Sequence, residues 1–124
     1  MSEVRFRSGE TIFEEGSNGT ECYKILSGAA EVRVRGKGRE HWGMTMVAAT
    51  CGPGEFIGEM SAFDGAPRSA TVVAVEDMTC KVYSGEAFLK LLETDHEEAL
   101  EYLRVLVQRL KQSNVSMSWG TRTG

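Results

Sequence analysis

The sequence predicts a mainly β protein of one domain, an antiparallel sandwich or barrel followed by a short and a long helix. Three observations predict it. Short segments rich in β-branched and aromatic residues recur up to about Tyr83, each bounded by a glycine-bearing turn. After Ser84 the apolar residues change to a helical period. A length of 124 residues suits one core of ordinary size and leaves no room for a second independent domain.

Taken in order, the strands are expected at Val4–Phe6, Thr11–Phe13, Glu21–Leu26, Glu31–Arg35, Thr45–Thr50, Thr71–Val75 and Met78–Tyr83. The run Glu31-Val32-Arg33-Val34-Arg35 alternates strictly, which points Val32 and Val34 at the core and the charged residues at water. Gly36-Lys37-Gly38 then reads as a hairpin turn. A further strand ends near Phe56-Ile57, and Gly58-Glu59-Met60-Ser61-Ala62-Phe63 can follow it as a single helical turn. Ser84 is placed to cap a short helix carrying Phe88, Leu89, Leu91 and Leu92. Thr94-Asp95-His96-Glu97 has the form of a capping box, so the long helix starts near Asp95. Leu100, Leu103, Leu106, Val107 and Leu110 give that helix its apolar face, which runs to about Ser113 or beyond. Residues 1–115 are therefore expected to form the domain. Residues 116–124, rich in glycine and serine around an isolated Trp119, read as a flexible tail or linker.

Composition excludes several classes. The chain is 41% hydrophobic and 26% charged, as soluble globular proteins are. Its net charge is −4 with lysines and arginines scattered, so the basic stripe of a direct nucleic-acid binder is missing. The three cysteines, Cys22, Cys51 and Cys80, are odd in number and lack CxxC spacing, which suits a reducing cytoplasm. No stretch approaches the roughly 18 apolar residues of a membrane helix, and no apolar leader follows Met1. His41 and His96 are far apart and poorly accompanied, so no metal site is expected. No serine, cysteine or threonine stands in a nucleophile motif such as GxSxG, so no catalytic residue is assigned and no enzyme is expected.

The chemistry concentrates between Gly54 and Ala74, where one acid and one guanidinium, Glu59 and Arg68, sit among small and apolar residues. The free amides of a helical turn after Gly58 favour an anion. Gly65-Ala66-Pro67 let the chain double back, which brings Arg68 to the same point, where its planar fork can grip phosphate oxygens. Glu59 repels a phosphate, so its task is to accept hydrogen bonds from a neighbouring hydroxyl. The grouping asks for a sugar phosphate with one free hydroxyl.

Gly-Glu-Met-Ser-Ala-Phe from Gly58, with Pro-Arg-Ser-Ala-Thr-Val from Pro67, resembles the phosphate-binding cassette of cyclic nucleotide-binding domains. Ile57 stands where that family commonly has phenylalanine, and Ser61 where alanine is frequent; neither removes a ligand group. The resemblance implies an antiparallel β roll of jelly-roll type with two C-terminal helices, and a regulatory module that senses cAMP or cGMP. It implies backbone contacts from Gly58 and Met60, Glu59 on the ribose 2′-hydroxyl, and Arg68 on the cyclic phosphate. Ser69 would add a hydroxyl or amide to that phosphate, and Ser61 and Ala70 complete the cassette. A serine after the arginine leans to cAMP, since threonine there favours guanine. Val47 and Ala48 are candidates for the base wall, and Ser113 and Asn114 for polar base readers. Trp119 is a candidate lid. The resemblance further implies an effector domain or partner protein that reads helix movement; a cytoplasmic location is expected from the cysteines. The alternative is a degenerate fold kept as a protein interaction module, against which the intact Glu59 and Arg68 argue. The cupin reading lacks its His-x-His signature.

Overall fold

The structure, a computed structural model, describes residues 2–36 and 43–114, with side chains up to residue 112. The expected turn at Lys37-Gly38, His41, Trp119 and the tail 116–124 lie outside the described residues.

Along the chain run β1 (Ser2–Phe6), β2 (Thr11–Phe13), β3 (Cys22–Ser27), β4 (Ala30–Arg35), β5 (Thr45–Cys51), β6 (Phe56–Ile57), α1 (Met60–Asp64), β7 (Thr71–Ala74), β8 (Met78–Tyr83), α2 (Gly85–Thr94) and α3 (His96–Asn114). Each expected strand appears within two residues of its expected ends. β1 starts at Ser2 because Ser2 and Glu3 find partners in Val82 and Lys81. The order β1-β8-β3-β6 makes one sheet and β2-β7-β4-β5 the other, with every pairing antiparallel. β1 pairs with β8, β2 with β7, β3 with β6 and β4 with β5, a nested arrangement in which one long hairpin is rolled over on itself. This is the jelly roll.

The core lies between the two sheets. Ile25, Ile57, Met78 and Cys80 come from the first sheet and Ala30, Cys51, Val72 and Ala74 from the second. Val4, Phe6, Ile12, Phe13, Tyr23 and Val32 pack against this cluster. A large apolar side chain fully buried there stabilises the fold by about 1.5–3 kcal/mol. Val32 takes the inward place its alternation predicts, while Glu31 and Arg33 pair with each other at 2.9 Å. Gly28, with φ 89°, turns the chain from β3 to β4 so close to β8 that a Cβ there would strike the Asp77 carbonyl and Met78 Cβ.

The helix signals are local and mostly hold. α1 ends at Gly65, whose left-handed backbone (φ 67°) lets its N–H reach the Ser61 carbonyl at 2.9 Å. Ser84 caps α2 through Oγ, which accepts from the Ala87 N–H at 3.1 Å. The cap of α3 stands one residue later than the sequence suggested. Asp95 Oδ1 accepts from the Glu98 N–H at 3.1 Å, and the Asp95 carbonyl accepts from Ala99. A carboxylate is an acceptor outright, and Asp95-His96-Glu97-Glu98 offers the same spacing as the threonine-led box.

Contacts divide the chain into Met1–Lys90, which holds both sheets, α1 and the start of α2, and Leu91–Gly124, which holds the end of α2 and α3. Among the described residues no helix is long and apolar enough to cross a membrane.

Candidate functional site

Arg68 is held first by its main chain. Its N–H donates to the Ser17 carbonyl at 2.8 Å and its carbonyl accepts from the Gly16 N–H at 2.8 Å, so the loop between β2 and β3 grips it from both sides. That loop, Glu14 to Glu21, can wrap closely because Gly19 carries no side chain against the guanidinium, while Gly16 supplies a left-handed turn with φ 86°. Asp64 Oδ1 accepts from the Ala66 N–H at 2.9 Å, and this turn steers the chain from α1 back to Arg68.

The side chain of Arg68 is buried, with 4% of its surface exposed. Its Nη1 donates to the Gly58 carbonyl at 2.9 Å and its Nη2 to the Glu21 carbonyl at 3.0 Å. The guanidinium carbon lies 4.2 Å from the centre of the Phe13 ring, an arrangement that favours a cation on the ring face. A Cβ at Gly19 would come within 2.9 Å of Nη2, and one at Gly58 within 2.8 Å of Nη1 and 3.0 Å of the Glu21 carbonyl oxygen. Phe13, Gly19 and Gly58 thus line a slot shaped to the guanidinium. The sequence suggested Gly58 as a point of close approach for a ligand; here it is Arg68 that first demands the missing Cβ, with φ 83° a second reason for glycine.

The Nε–H of Arg68 is buried and meets no acceptor among the described residues. A buried cation whose Nη atoms each donate to a neutral carbonyl, and whose Nε–H has no partner, is in electrostatic deficit. An anion with an oxygen in reach of that donor removes the deficit. A phosphodiester fits by charge and by its acceptor oxygens.

The other cassette residues flank this point. Glu59 stands at the N-cap of α1 and is half-buried. Met60 is 58% exposed, and its Sδ lies 4.0 Å from the Oγ of the exposed Ser69. Ser61 and Ala70 are buried at 4% and 6% exposure. Behind the cassette, Cys22 lies with its Sγ 4.0 Å from the Gly58 carbonyl. Burial, reinforced by the Glu59 charge and offset in part by Arg68, pushes its thiol up to about 12, so it stays neutral. Among the described residues no group of three or more His, Cys, Asp or Glu could hold a metal.

The base candidates belong to β5 and α3. Val47 is half-exposed on β5 opposite Arg33, while Ala49 pairs with Val32; the register slips between those pairs, at Ala48. Ser113 and Asn114 fall in the last turn of α3, and their side chains lie outside the described residues. Sequence reasoning missed Phe13, Ser17, Gly19 and the Glu21 carbonyl. One signal existed: Gly16-Ser17-Asn18-Gly19 breaks the strand pattern with two glycines between β2 and β3.

Comparison with known proteins bears on the family and the fold. The sequence profile of the family described as "Cyclic nucleotide-binding domain" matches residues 3–95. A "CRP-like cAMP-activated global transcriptional regulator" of Mycobacterium tuberculosis is 29% identical over 119 residues, covering 95% of this chain and 51% of that protein. The "Cyclic AMP receptor protein" of Thermus thermophilus is 34% identical over 113 residues, covering 90% of this chain and 50% of that protein. The crystal structure of the catabolite activator protein of Thermus thermophilus superposes with a TM-score of 0.77 at 29% identity, covering 97% of this chain and 55% of that one. The chain spans about half the length of the curated relatives it matches. With the cassette, the jelly roll and the profile in agreement, the chain belongs to the cyclic nucleotide-binding domain family.

Proposed function

We propose that this chain is a regulatory sensor that binds cAMP in preference to cGMP and passes binding to an effector through its C-terminal helices. The observation that carries the reading is Arg68, buried in a fitted slot with its Nε–H unpartnered. The cyclic phosphate takes that donor, and Ser69 adds a second beside it. Glu59 accepts from the ribose 2′-hydroxyl, a proton donor that a phosphate is not. Gly58 and Met60 offer backbone groups, with Ser61 and Ala70 shaping the cassette from beneath. Val47, Ala48, Ser113 and Asn114 remain the proposed base contacts. Residues 1–115 serve as the binding domain and 116–124 as tail or linker.

Transmission has a physical start in the ring of Phe63, on α1, which meets Phe88 of α2 edge-on at 5.7 Å. Phe88 in turn packs on Phe56 of β6 at 4.9 Å. A ligand that draws α1 toward the phosphate therefore pulls on α2, and its preference for the drawn state shifts the helices. The chain acts by this switch and not by catalysis, with an effector domain or partner protein as reader. Its three free, buried thiols suit the cytoplasm.

Calorimetric titration with cAMP and cGMP in parallel tests the reading. Both should give heat, with cAMP the tighter, and Ser69→Thr should move the ratio toward cGMP. No heat from either nucleotide at high micromolar concentration defeats the proposal; an unmoved ratio in Ser69→Thr defeats its base preference alone.

A further inference from the structure

We propose that Met60 is a redox modification site, whose oxidation to the sulfoxide by a peroxide weakens phosphate binding beside Arg68. The inference rests on the function proposed above. It begins from where oxidisable sulfur lies. Cys22, Cys51, Cys80 and Met78 are all buried, with at most 3% exposure. Burial also raises the thiols of Cys22 and Cys80, to about 12 and about 11, so they are poor nucleophiles at neutral pH. Met60, by contrast, is 58% exposed and sits on α1 in the cassette itself. Met44 and Met46 are exposed too, but they belong to β5 and the residue before it.

The consequence follows from what touches the sulfur. Ser69 Oγ points its proton toward Met60 Sδ at 4.0 Å, a weak bond because a thioether is a weak acceptor. A sulfur lone pair attacks one oxygen of hydrogen peroxide; the S–O bond forms as the O–O bond breaks, and the departing hydroxide takes the proton carried by the transferred oxygen and leaves as water. Sulfur loses two electrons and the peroxide gains them. The sulfoxide oxygen carries partial negative charge and accepts hydrogen bonds well, so it captures the Ser69 hydroxyl that the phosphate would otherwise receive. It also sets the negative end of a dipole beside an anion site. A thiol-dependent sulfoxide reductase restores the thioether, which makes the change reversible.

The test uses the whole chain, oxidised with hydrogen peroxide, quenched with catalase and mapped by peptide mass spectrometry. Calorimetric titration with cAMP before and after should show affinity falling about tenfold, the scale of one lost bond to a charged group. Treatment with methionine sulfoxide reductase should restore it. Met60→Leu, whatever its starting affinity, should keep that affinity through the same treatment even though Met44 and Met46 oxidise. In Ser69→Ala the drop should shrink; a full drop there overturns the route through Ser69. Unchanged affinity in chain shown to carry Met60 sulfoxide, or an equal loss in Met60→Leu, overturns the inference while leaving the proposed function standing. Untreated chain that binds neither nucleotide overturns both.

Discussion

Arg68, the proposed phosphate-binding group, is fixed in place by the protein alone. Two main-chain bonds to the β2–β3 loop set its Cα, and two carbonyls with an aromatic face set its guanidinium. Such preorganisation lowers the entropy lost when the ligand binds. The arginine, Glu59 and Ser69 were legible in the sequence because the cassette is contiguous and its residue types are chemically telling. The slot was not, because Phe13, Gly19 and Glu21 reach it only through the nested pairing of distant strands, and a glycine's reason for being small is invisible until its neighbour is known. Gly19 supplies the matching prediction. Gly19→Ala places a methyl group 2.9 Å from Nη2 and strains a backbone of φ 157°, so cAMP affinity should fall about tenfold, or ~1.4 kcal/mol, together with a loss of stability from the strained backbone. Thermal melting and calorimetry read the two separately. An unchanged affinity would show that the slot has room to spare.

At the scale of elements, strands and helices were read well wherever one period dominates. The alternation in β4 placed Val32 inward, and Ser84 and Gly65 end or begin helices as side-chain chemistry requires. The register slip in β5 was not legible, because a bulge leaves no mark in a run as uniform as Met46-Val47-Ala48-Ala49. The α3 cap fell on Asp95 because two overlapping boxes satisfy one pattern and only geometry chooses between them. The contact of α1 with α2 belongs to this scale. Phe63 is 55% exposed, so Phe63→Ala should leave the fold and most of the affinity intact while loosening that link. Hydrogen exchange should show cAMP altering protection of α2 and α3 in the natural chain and much less in the variant. Equal changes in both would move the transmission route elsewhere.

For the whole molecule, strand number and order were legible from the regular spacing, which alone fits a sandwich or a barrel equally; the jelly-roll pairing was legible only through the resemblance carried by the cassette. The buried thiols give the molecule a signature against pH. Burial raises Cys80 to about 11, and burial reinforced by the Glu59 charge raises Cys22 to about 12, from the usual thiol value of 9.0. The folded state therefore holds protons the unfolded chain releases, and this contribution is complete below pH 9 and lost as pH rises through 11 to 12. Denaturation midpoints should drop across that window, and less steeply in a Cys22→Ala, Cys80→Ala variant; parallel slopes would remove the thiols as cause. The central claim, that a buried arginine with an unpartnered Nε–H awaits a cyclic phosphate, is tested most directly by titrating cAMP into the natural chain and into Arg68→Ala side by side. The natural chain should bind, and the variant, checked for folding by circular dichroism, should bind about tenfold to a few hundredfold more weakly, the loss of a charge-assisted bond of ~1.5–3 kcal/mol. Equal affinity in a folded Arg68→Ala chain would contradict the account.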